Sequence, residues 1–98
     1  MEIKLHKRIH LSEYQQEYIQ KKVEYLKKVA RRGEDESSKA YIDIEYVHHK
    51  DPAEVICIKM RLVTPGKTFH GEECGTTVEE TIDKIESKVR NQIDHERK

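Results

Sequence analysis

Apolar residues recur along this chain in two rhythms, a period of two and a period near 3.6. Over residues 2–9, Ile3, Leu5 and Ile9 fall on one side and Lys4, His6 and Arg8 on the other. That alternation predicts a half-buried strand, with Lys7 the exception on the apolar side. From Ser12 to Arg32 the rhythm becomes helical, with Ile19, Val23, Leu26 and Ala30 as the stripe. Ser12 is a suitable N-cap with Gln15 three residues on, a capping-box spacing, and Gly33 is a natural helix stop. Residues 33–39 form an acidic, serine-bearing loop. Ile42, Ile44 and Tyr46 then alternate over 41–47, and the connection from His48 to Ala53 contains Pro52. Residues 54–63 are rich in β-compatible side chains. Thr64-Pro65-Gly66-Lys67 places proline and glycine at the centre of a type II turn, and a fourth strand follows over 67–73. Thr76 or Thr77 caps a last helix, with Glu79 or Glu80 completing the box. Its stripe is Val78, Ile82, Ile85, Val89 and Ile93.

The predicted order is β-α-β-β-β-α, an α+β fold. Each helix has one apolar stripe and each strand one apolar side, so both helices belong on one face of a four-stranded sheet. The opposite face is wet and carries Asp43, Glu45, Lys59 and Arg61. If Val47 pairs with Val55, Asp43 opposes Lys59, a favourable cross-strand pair. These four charges are read as solvation of the sheet. With 98 residues, 35% hydrophobic and 39% charged, the core is expected to be one thin layer within a single domain, 1–98.

Formal net charge is zero, but it is unevenly spread. Residues 1–32 hold nine Lys/Arg and four Asp/Glu, and residues 33–98 hold ten and fifteen. Cys57 and Cys74 form no disulfide scaffold and are expected to be reduced thiols of a cytoplasmic protein. The N-terminus has no apolar leader, and no run approaches the roughly 18 apolar residues of a membrane span. A soluble, unexported protein is expected.

The first helix gives the sharpest functional signal. Lys21, Lys28 and Arg32 share a stripe beside Tyr25, with Lys22 at the edge of the apolar face, where its stem can pack while its ammonium reaches water. On the last helix, Lys84, Lys88, Asn91 and His95 recur at i, i+4, i+7 and i+11. If neighbouring helices place these stripes around a shared groove, the cations match phosphates and tyrosine can stack on bases. Lysine-rich helix surfaces are also common as mere solvation. The six histidines show no zinc-ligand spacing, and His48-His49 are adjacent, which suits chelation poorly. Glu79 and Glu80 are accounted for by the helix N-terminus. There is no phosphate loop or nucleophile elbow. No metal, cofactor, small-molecule substrate or enzymatic activity is expected. A protein–protein adaptor acting through the exposed sheet face is the rival reading.

Several segments in this order carry a family resemblance. They are Glu17-Tyr18-Ile19-Gln20-Lys21-Lys22-Val23, Thr68-Phe69-His70-Gly71-Glu72-Glu73, Thr81-Ile82-Asp83 and Lys88-Val89-Arg90-Asn91-Gln92-Ile93. Together with the element order, they resemble the ribosome hibernation promoting factor / ribosome-associated inhibitor family across nearly the whole chain. Two places depart from its pattern: His6-Lys7-Arg8 stands where Gly-Arg-Asn is usual, and Thr77-Val78-Glu79 where an aromatic is frequent. The resemblance implies a fold related to double-stranded RNA-binding domains. It further implies a short-form factor, monomeric when free, that binds the small ribosomal subunit and its ribosomal RNA in the mRNA/tRNA decoding region, blocking translation and preserving idle ribosomes. Lys21, Lys22, Lys28, Lys84 and Lys88 occupy positions that the resemblance makes RNA-binding. Tyr25, Arg32 and Asn91 join them by helical geometry.

Overall fold

Six elements follow one another: β1 (Glu2–Lys7), α1 (Glu13–Ala30), β2 (Lys39–His48), β3 (Glu54–Thr64), β4 (Lys67–Gly75) and α2 (Val78–Glu96). The structure, a computed structural model, describes residues 2–30, 38–48 and 54–96. Arg32, the Gly33 stop and the Pro52 connection lie outside them. The sheet order is β1-β2-β3-β4, with β1 parallel to β2 and the other pairs antiparallel. The α+β architecture expected from the patterning is the one observed.

Both helices begin as their sequences dictate. The Ser12 hydroxyl accepts from the Gln15 N–H at 3.1 Å, and the Gln15 side chain accepts from the Ser12 N–H at 3.0 Å. That is the reciprocal capping box. At α2, Thr77 is the cap, its hydroxyl accepting from the Glu80 N–H. The Glu80 carboxylate reaches one residue further back, accepting from the Thr76 hydroxyl at 2.8 Å and the Thr76 N–H at 3.3 Å. Those bonds, with Lys84 beside it, hold the Glu80 carboxyl below its ordinary range. The whole expected stripe of each helix is buried. It packs on Ala40, Ile42 and Ile44 of β2, Ile56, Ile58, Met60 and Leu62 of β3, and Phe69 of β4.

The first strand is shorter than its alternation suggests. It ends at Lys7, which spares the core that lysine, and the chain then carries Ile9 and Leu11 into the core from outside the sheet. Tyr46 keeps the parity of Ile42 and Ile44 but is 47% exposed.

Thr64-Pro65-Gly66-Lys67 makes the expected turn. Gly66 has φ of 79°, as the third position of a type II turn requires, and Thr64 is paired with Lys67. This turn decides the fate of the cysteines. Cys57 lies seven residues before Thr64 and Cys74 seven after Lys67, so the register puts them opposite one another. They form a disulfide, with Cα atoms 4.1 Å apart, instead of the two reduced thiols expected. The spacing is that of a non-hydrogen-bonded antiparallel pair, where side chains approach most closely.

α2 lies unusually close to β4. A Cβ on Gly71 would stand 3.0 Å from Ile85 Cγ2 and 3.1 Å from Val89 Cγ2, and one on Gly75 would stand 2.5 Å from Thr81 Oγ1. Two positions on the helix-facing side of the strand are thus kept free of side chains. Gly71→Val is expected to cost about 1–3 kcal/mol by overpacking, read as a lower urea midpoint at unchanged slope. Replacing both cysteines by serine should cost about 3 kcal/mol on the loop-entropy estimate for a bridge of this span, measured by the same titration.

Candidate nucleic-acid interface on the helix layer

The helices run parallel, and each presents one flank to the other. From α1 the seam receives Tyr18, Lys22 and Tyr25, and from α2 it receives Asp83, Glu86 and Arg90. The Tyr18 hydroxyl donates to Asp83 Oδ1 at 2.7 Å. Lys22 Nζ lies 3.3 Å from Asp83 Oδ1 and 3.2 Å from Glu86 Oε2, over the Tyr18 ring. Arg90 sits over the Tyr25 ring and donates to its hydroxyl. Lys22 therefore does not lift its ammonium into open water as its place at the stripe edge suggests. It is a pin between the helices, compensated by two carboxylates. Burial opposes its charge, but hydrogen bonds to Glu86 and Asp83 outweigh that and hold its pKa above the ordinary value. The Asp83 hydrogen bond, with desolvation, raises the Tyr18 phenol as well.

Lys84 and Lys88 occupy the other flank of α2, along the free edge of β4. Lys84 Nζ donates to the carbonyl of Cys74 at 3.3 Å, and Lys88 Nζ to that of Glu72 at 3.4 Å. One turn further, the Gln92 side-chain amide donates to the His70 carbonyl and accepts from the His70 N–H. Three side chains spaced i, i+4, i+8 on a helix thereby satisfy carbonyls spaced i, i+2, i+4 on an antiparallel strand. The match is geometric. Four helical residues rise about 6.0 Å and two strand residues about 6.8 Å. The backbone groups engaged are those an edge strand leaves open to pairing with another chain. Glu80 and Glu73 also pair with these lysines, at 3.6 and 3.3 Å.

The expected residues thus fall into separate places. Lys21, Lys22 and Tyr25 share a cleft of about 350 Å³ at the helix seam with Tyr18 and Glu86. Lys28 is exposed on the outer surface of α1. Lys84 and Lys88 line the β4 edge, and Asn91 borders a cleft with Lys67 and His95. The shared groove between the two basic stripes is not formed, because α2 itself stands between them and turns its acidic flank to α1. Among the described residues, neither Lys21 nor Lys28 has an ion-pair partner. Both are open to an external phosphate, and Lys27 on the same helix likewise has no ion-pair partner among the described residues. Among these residues no helix is long and apolar enough to cross a membrane, and no three potential ligands cluster for a metal.

Proton linkage at the seam has a definite sign. As pH rises, the unfolded chain releases the Tyr18 and Lys22 protons before the folded one does. Their stabilisation is complete below the ordinary values of 10.0 and 10.5 and is lost above them. Thermal midpoints should fall as pH passes about 10, and Tyr18→Phe should flatten that fall.

Comparison with known proteins gives this geometry its context. The family profile described as sigma 54 modulation protein / S30EA ribosomal protein matches residues 3–98. Two solved structures share the fold. A ribosomal subunit interface protein from Coxiella burnetii is 16% identical, with a TM-score of 0.73 over 99% of this chain and 98% of that one. The Protein Y N-terminal domain of Thermus thermophilus is 18% identical, with a TM-score of 0.76 over 97% and 98%. No curated protein sequence matches the chain. With the profile covering nearly its whole length, the chain belongs to the sigma 54 modulation protein / S30EA ribosomal protein family.

Proposed function

We propose that this chain is a non-enzymatic ribosome-binding factor. It occupies the mRNA/tRNA decoding region of the small subunit, blocks translation and preserves idle ribosomes in stress or stationary phase. The family match over residues 3–98 carries the reading, and the fold shared with a ribosomal subunit interface protein supports it. The whole chain acts as one cytoplasmic, monomeric ribosome-binding domain. The contact is electrostatic and steric: cations engage ribosomal RNA phosphates while the bulk of the domain excludes mRNA and tRNA.

Lys21 and Lys28 make the primary contact from α1, with Tyr25 beside them and Arg32 next along the chain. Lys22 takes part only by exchanging Asp83 and Glu86 for phosphate. Lys84 and Lys88, already donating to strand carbonyls, offer their remaining N–H groups to a second phosphate track, with Asn91 at its end. Each ammonium carries three donors, so the two roles are compatible.

Changing Lys21, Lys28 and Lys88 together to Glu should abolish co-sedimentation with small subunits while the circular dichroism spectrum stays that of the folded domain. Normal co-sedimentation of the triple variant would remove this surface from the reading. Wild-type binding should weaken steeply with salt, since each phosphate contact releases bound counterions.

A further inference from the structure

The sheet face away from the helices was expected to be a plain solvated surface. It instead holds a cavity of about 810 Å³. Register builds its floor as two rows of four. One row runs Lys4, Tyr41, Arg61, His70 across β1 to β4, and the next runs His6, Asp43, Lys59, Glu72. In the first, the Arg61 guanidinium lies over the Tyr41 ring at 4.4 Å, and Lys4 approaches the same ring at 6.0 Å. In the second, the expected partnership fails. Lys59 stands opposite Asp43 but leans toward Glu72, at 4.0 Å. Asp43 Oδ1 is left shielded from solvent with no hydrogen-bond partner.

Two demands on a ligand follow. A buried carboxylate oxygen without a donor costs about 1–3 kcal/mol, so the site favours a ligand that brings an N–H to Asp43. Around that oxygen stand Lys59 directly across and Lys4 and Arg61 on the diagonals, a spacing of about 7–8 Å between sheet positions. These cations favour a ligand that is anionic a short distance from its N–H. A guanidinium already laid over an aromatic ring also offers a plane on which a flat heterocycle can stack. One class of small molecule combines a flat heterocycle, an amino N–H and a nearby phosphate.

We propose that the open sheet face binds a free nucleotide whose base carries an amino group. The base continues the Tyr41–Arg61 stack, its amino group donates to the Asp43 carboxylate once a χ2 rotation turns the shielded oxygen toward the cavity that the residue lines, and its phosphate meets Lys59 and Lys4. The site shares Lys88 with the proposed ribosome contact but neither Lys21 nor Lys28, so variants at those two residues test it apart from the ribosome-binding reading.

Calorimetric titration of the intact protein with CMP and with UMP tests this, because the two differ at the exocyclic group offered to Asp43. CMP should bind at least ten-fold more tightly than UMP. Asp43→Ala should erase that preference while leaving the thermal midpoint unchanged or higher, since it removes an unsatisfied carboxylate. Arg61→Ala should weaken both ligands. The Lys21→Glu/Lys28→Glu double variant should lose ribosomes yet keep the nucleotide. Absence of saturable binding by either nucleotide at millimolar concentration would overturn the proposal. So would a CMP preference that survives Asp43→Ala, or binding confined to RNA strands.

Discussion

The close seating of α2 on β4 is the constraint around which the rest of this molecule is arranged. Side chains are withheld at Gly71 and Gly75, which brings Ile85, Val89 and Thr81 down onto the strand. Only at that distance can Lys84, Lys88 and Gln92 reach the outward backbone of Cys74, Glu72 and His70. The same placement fixes which flank of α2 meets α1. With the lysine flank committed to the strand edge, the opposite flank of Asp83, Glu86 and Arg90 must form the helix seam. Lys22 and the two tyrosines of α1 are the complement to that flank.

Zero net charge does not mean an electrically bland surface here. Many cations are matched locally: Lys22 at the seam, Arg90 with Asp94, Lys84 and Lys88 with Glu80 and Glu73, Arg8 with Glu45. Most of these pairs are exposed, and each contributes little to stability. Their larger effect is on where positive potential survives. Among the described residues, cations without an ion pair remain on α1, at Lys21, Lys27 and Lys28, and on the open face of the sheet at Arg61. These surfaces lie on opposite sides of the layered fold.

Much of this was legible in the sequence. Both apolar stripes, the Ser12–Gln15 box, the turn at Pro65-Gly66 and the Asp43–Lys59 register follow from local periodicity and turn chemistry. The position of Lys84 and Lys88 does not. A helical wheel gives the angle of a residue about its own axis, but not which flank a neighbouring helix covers. Lys22 was misread for the same reason, since its carboxylate partners lie some sixty residues on and belong to the other helix. The disulfide is a different kind of omission. The turn that pairs Thr64 with Lys67 already aligns Cys57 with Cys74, and the cysteine count alone hid that. The orphaned oxygen of Asp43 lay beyond any pattern, because register opposes it to Lys59 without dictating which way that lysine leans.

The row of donors along β4 also bears on how copies of this chain can meet. Strand addition propagates only when a sheet is open at both edges, each new molecule accepting a strand on one side and offering one on the other. Here three carbonyls and one N–H of one edge are occupied by the molecule's own helix. Two copies joined through β1 would present only closed edges outward, and assembly would end at a pair. Three side chains in this way shield the molecule from polymerising through its own sheet.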